Sequence, residues 1–214
     1  TAELARSLKL PIEGPHRGAL LDVGAPGEFD AVMCGWPQVI HDGSDWKMYY
    51  HTLDMRRGFL VGLALSSDGL HWEKHGEVLG PGEAGAFDEQ GAATRQVIRH
   101  DNRYLMFYEG VMKSGHRSIG LAVSDDGLSW RRQPGHEPNG SVFSHAPRGS
   151  GRWDAFAIGT PSLVAMDDGS WRMYYIGSNE VANHGPADEM ALQHRIGLAV
   201  STGTDLTRWR RWGE

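Results

Sequence analysis

Two glutamates and the polar residues around them are where this sequence could do chemistry. Glu89 and Glu109 form a possible acid–base pair, one carboxyl giving a proton while the other takes one or attacks. Two nearby carboxylates repel, so ionising one raises the pKa of the other. Glu109 is the expected proton donor, because the end of an aromatic strand is less hydrated than the turn that carries Glu89. Pairing of Arg95 with Glu109 would lower that pKa and exchange the roles. Arg95 is also suited to grip a carboxylate or phosphate through two parallel hydrogen bonds. His51 and Gln90 offer hydrogen bonds to a bound molecule, and Trp36 a flat apolar face on which a ring can stack. Asp30, Asp88 and Asp154 are further carboxylates in reserve.

These residues belong to a pattern that occurs three times. The copies open at Phe29-Asp30, Phe87-Asp88 and Trp153-Asp154. Each runs into a short apolar segment (Pro37–Ile40, Arg95–Ile98, Pro161–Val164) and a polar turn. An aromatic strand follows: Trp46–Tyr50, Tyr104–Tyr108 and Trp171–Tyr175. Next comes Val61–Ser66, Ile119–Ser124 or Ile196–Ser201, and each copy closes on a tryptophan, Trp72, Trp130 or Trp209. Opening to closing spans 43 positions in the first two copies and 56 in the third. Four short β-rich segments separated by Gly, Asp and Asn turns predict a four-stranded antiparallel unit. Such units repeated radially are propeller blades.

The predicted fold is therefore all-β, with about three blades: 29–86, 87–152, and 153–214 with an inserted loop at 178–195. Residues 1–28 read as the tail of a preceding blade or a linker. Self-association or additional chain segments are the expected means of completing the ring. The Arg95–Ile98 type of segment should be innermost, and the three closing tryptophans should be largely buried between blades.

Repetition also separates scaffold from site. The aspartates Asp30, Asp88 and Asp154 occur in every copy, so their expected role is structural, accepting turn backbone N–H bonds. Glu89 and Gln90, by contrast, stand where the other copies have Ala-Val and Ala-Phe, and Arg95 stands where they have Pro. His51 and Glu109 occupy the position of Ile176. The start of strand one, the end of strand two and the loop between strands two and three share one face of a blade. Glu89, Glu109 and His51 are thus expected near the mouth of a central channel, with the loop carrying His184, Asp188, Glu189 and His194 as a lid or rim. Each residue has a plainer reading: Glu109 held by an arginine, Glu89 a turn residue, His51 a satisfied polar group, Arg95 a buried partner. The loop histidines are too irregularly spaced for a zinc site, and neither a metal nor a cofactor is expected.

Composition narrows the class. The chain has 214 residues and a formal charge of −6, which argues against nucleic acid as a partner. No apolar run reaches the roughly 20 residues of a membrane helix, so no membrane partner is expected. The lone Cys34 excludes an internal disulfide and leans the expected location of a soluble protein toward the cytoplasm. Gly 29 and Trp 8 are high counts that suit repeated short strands and turns.

The aromatic-Asp openings, the Met-Tyr-Tyr and Met-Phe-Tyr-Glu-Gly strands, and Ile119 to Trp130 (IGLAVSDDGLSW) resemble the five-bladed propeller glycosidases. These are glycoside hydrolase families 32, 43 and 68 and the family 130 phosphorylases, and the resemblance covers residues 20–214. It implies part of a five-bladed ring, a carbohydrate ligand, and carboxylates at or just before the innermost segment. Here those places hold Cys34-Gly35-Trp36, Ala93-Thr94 and Gly159-Thr160, none acidic. The expected function is a glycoside hydrolase-like, carbohydrate-active propeller using Glu89 and Glu109. Trp36 would stack on a sugar, with Arg95 and His51 on its hydroxyls. The rival is a non-catalytic propeller that binds a glycan or a protein.

Overall fold

A computed structural model describes residues 18–43, 45–179 and 194–214. Among these, all the regular elements are strands, in three four-stranded antiparallel blades. The first blade holds β1 (Gly35–Asp42), β2 (Asp45–Asp54), β3 (Gly58–Ser66) and β4 (Glu73–Leu79). The second holds β5 (Ala92–His100), β6 (Arg103–Val111), β7 (Arg117–Ser124) and β8 (Arg131–Gln133). The third holds β9 (Ala157–Ala165), β10 (Trp171–Ser178), β11 (His194–Ser201) and β12 (Trp209–Arg211). Of the inserted loop, residues 180–193 and with them His184, Asp188 and Glu189 lie outside the described residues.

Turn chemistry sets the strand order. Asp101 and Asn102 both adopt positive φ (48° and 61°) between the paired His100 and Arg103. Such a two-residue turn has the twist of the flanking strands and closes a tight hairpin. Between strands three and four, Asp68 Oδ1 accepts from the N–H groups of Leu70 and His71 at 2.8 Å. Asp126 does the same for Leu128 and Ser129. These aspartates are turn scaffold.

Neighbouring blades share apolar cores, which is why strands with two apolar faces recur. Tyr49, Val61 and Leu63 of the first blade pack with Val97, Met106 and Ala122 of the second. Phe107, Ile119, Leu121 and Val123 of the second then pack with Leu163, Met173 and Tyr175 of the third. The innermost strands β1, β5 and β9 touch in succession, as expected for strands lining an axis. Backbone pairing also stitches the blades together: Phe59 bridges Gly91, and Arg117 bridges Ala157. The Gln90 carbonyl accepts from the Phe59 N–H at 3.0 Å.

The closing tryptophans differ from the expectation. Only Trp209 is buried (6% exposed), edge-on to Phe107 of the second blade. Trp130 meets Tyr49 in the same way but is half-buried, as is Trp72. Residues 134–156 account for part of the contrast. This connection returns under the second blade, burying Val142 and Phe143 in the core that also holds Trp209.

Candidate functional site at the inner-strand bulges

Each innermost strand bulges at one place. The register slips between Gly35 and Gln38, between Thr94 and Gln96, and in β9 opposite Tyr174–Ile176. Trp36 (φ 48°) and Thr160 (φ 50°) sit there in the left-handed region, which a bulky or β-branched residue enters only under strain. The bulges re-aim side chains toward the axis. They gather Trp36, His51, Arg95, Glu109, Arg117 and Thr160 from all three blades.

Glu109, on β6, is the centre of the group and its side chain is 3% exposed. Its Oε1 accepts from Arg117 Nη1 at 2.6 Å. Its Oε2 accepts from Arg95 Nε at 3.1 Å and from the Thr160 N–H at 3.2 Å. A Cβ at Gly159 would overlap this carboxylate, so glycine there is a steric requirement of the site. Burial pushes the Glu109 pKa up, but the Arg95 and Arg117 charges outweigh it and hold the carboxyl below its ordinary value. Arg95 therefore makes the pairing that removes Glu109 from the proton-donor role, and Glu109 is ionised at neutral pH.

His51 lies beside this pair, buried between the Phe59 ring (centroids 5.1 Å) and the edge of Trp36 (5.3 Å). Burial first, then Arg95, lower its pKa to about 4, against the opposing pull of Glu109. Native His51 stays neutral where an unfolded histidine, near 6.5, takes up a proton. Stability should thus fall as pH drops from about 6.5 towards 4. His51→Gln should remove on the order of 3 kcal/mol of that dependence. Denaturation midpoints at pH 7 and pH 4.5 check this, and an unaltered slope contradicts it.

Trp36 is 54% exposed, with the Arg95 guanidinium carbon 5.3 Å from its ring centre. It presents one face to solvent over a cationic floor. Arg95 Nη1 and His51 Nδ1 are buried donors or acceptors with no protein partner.

The other expected site residues go elsewhere. Glu89 clamps a turn to the strand two–three loop, accepting from the N–H groups of Gly85 (3.0 Å) and Lys113 (3.2 Å). Those two bonds hold its carboxyl below the ordinary value. Its partners are thus separate from those of Glu109. Gln90 contributes its backbone to the blade junction described above.

Asp30, Asp88 and Asp154 are buried, but not on turn N–H groups as expected. Each accepts from the tyrosine hydroxyl of its own second strand: Tyr50 (2.8 Å), Tyr108 (2.9 Å) and Tyr175 (3.0 Å). Each also pairs with a cation near its own fourth strand: Lys74 (2.7 Å), Arg132 (2.7 Å) and Arg211 (2.6 Å). The triad ties the start of each blade to its second and fourth strands.

Arg117 escaped the sequence reading, and Gly159 and Thr160 entered it only as positions without an acid. For Arg117 the signal was available, since the matching strand-three positions hold Phe59 and His194.

No protein-family model matches the chain. Over 123 residues it is 30% identical to the uncharacterised protein Rv1502 of Mycobacterium tuberculosis, a match covering 55% of this chain and 40% of that protein. Among solved structures it is similar to a thermostable family-43 glycoside hydrolase (TM-score 0.59, 19% identity, 83% of this chain and 50% of that one). It is also similar to a family 117 glycoside hydrolase of the marine bacterium Zobellia galactanivorans (TM-score 0.65, 16% identity, 84% and 55%). At these identities the likeness establishes the fold, and the chain spans about half the length of those neighbours. In fold, the chain is similar to these two glycoside hydrolases.

Proposed function

We propose that this chain forms part of a glycoside hydrolase-like propeller and that the bulge cluster is the wall of its glycan site. The observation that carries the reading is the cluster itself: a strained, exposed Trp36 over Arg95, beside the ionised Glu109. Aromatic faces take the apolar side of a sugar ring, while guanidinium and imidazole groups take its oxygens. In acid–base cleavage of a glycosidic bond, an ionised carboxylate suits the base or nucleophile position. Glu109 fills that half of the pair in this reading. Glu89, also held ionised, supplies no proton donor. A further blade of the same kind is proposed to cover Tyr174 and Ile196, which are exposed at the repeat positions of the buried Phe107 and Ile119.

The alternative is a glycan-binding propeller without catalysis. One observation favours it: all five expected carboxylates already accept bonds from protein donors. Assay of the chain against aryl glycosides and binding to a glycan array separates the two. Trp36→Ala should weaken glycan binding about tenfold, equivalent to 1.4 kcal/mol, with the fold intact. Unchanged binding removes Trp36 from the site. Loss of turnover by about 100-fold in Glu109→Gln supports catalysis, and binding without any turnover in the parent supports the alternative.

A further inference from the structure

Next to Glu109, between the second and third blades, lies a pocket of about 100 Å³. Arg117, Gly159, Thr160, Ser178 and His194 line it with Glu109. That volume is enough for a carboxylate or phosphate group. Among the described residues, the charges around it do not balance. Two guanidinium groups, Arg95 and Arg117, share the single carboxylate of Glu109, whose two oxygens are both engaged. His51 adds no negative charge, and the Glu89 carboxylate is held by the Gly85 and Lys113 backbone. Arg117 is 44% exposed, lines the pocket and gives one N–H to Glu109. Arg95, with a side chain nine-tenths buried, keeps Nη1 without an acceptor.

A neutral hydroxyl entering here would leave one guanidinium without a counter-charge. An oxyanion neutralises it and fits the planar fork. We infer that this pocket is an oxyanion subsite, taking on Arg117 either the carboxylate of an acidic sugar or a phosphate group. The sugar-borne form rests on the glycan reading above.

Titration calorimetry of the whole chain at low salt, with methyl glucuronide, methyl glucoside and inorganic phosphate, tests the assignment. The glucuronide should bind at least about tenfold more tightly than the glucoside, a difference of 1.4 kcal/mol. Arg117→Gln should abolish that preference. Arg117→Lys, which keeps the charge without the fork, should retain only part of it and guards against a folding defect in the first variant. Phosphate that displaces the glucuronide at equal concentration assigns the pocket to phosphate, and inert phosphate assigns it to the sugar carboxylate. Equal binding of glucoside and glucuronide, or a preference that survives Arg117→Gln, overturns the subsite and leaves the glycan reading standing. Phosphate binding with neither sugar bound overturns the glycan reading alone, and no binding of any probe overturns both.

Discussion

Asp154→Ala should cost on the order of 3–5 kcal/mol, the range for breaking a buried ion pair by removing one partner. The Asp154 carboxylate is fully buried, and its partner Arg211 is only 14% exposed. Deleting the carboxylate strands a guanidinium and the Tyr175 hydroxyl away from water, each with its desolvation penalty unmet. The same substitution at Asp30 should cost less. Its cation, Lys74, is 28% exposed and can turn its ammonium into solvent. Urea unfolding of the two variants measures the order. An Asp154→Ala protein within about 1 kcal/mol of the parent, the size of an ordinary surface change, would contradict the triad as scaffold.

Glu109→Gln should lower stability by about 3 kcal/mol at neutral pH, because it leaves Arg95 buried without its counter-charge. For a chain of this size that corresponds to a fall of about 6–12 °C in Tm. The effect has a defined pH dependence. The folded-state pKa of Glu109 lies below its ordinary value, so its stabilisation is complete above the unfolded pKa and is lost as pH falls through the folded one. The gap between parent and variant should therefore be full at pH 7 and narrow below about pH 4. Thermal melts across that range provide the check. A gap that stays constant into acid would mean that the carboxylate's charge is not what matters.

The repeat made the architecture legible along the chain. Hairpin turns such as Asp101-Asn102 and the recurrence of the Met-aromatic-Tyr strand act through local backbone preference and burial, and both can be read residue by residue. The comparison of copies also separated the repeated aspartates from polar residues unique to one copy. Asp30, Asp88 and Asp154, expected to accept turn N–H bonds, instead accept from a tyrosine hydroxyl and pair with a cation in every copy. Those donors come from strands two and four, so their convergence depends on how each blade twists.

Charge partnership was decided only in three dimensions. By itself the sequence placed Glu89 and Glu109 on one blade and named Arg95 as the residue able to reverse their roles. It could not say that Arg95 and Arg117 both reach Glu109, since these three residues lie on three different strands. Nor could it show Thr160 lending its N–H from the next blade through a strained bulge. Apolar periodicity is a property of neighbours along the chain, whereas a pKa is set by the nearest charges in space. The blades were therefore determined by the sequence alone, and the ionisation state of the site by their packing.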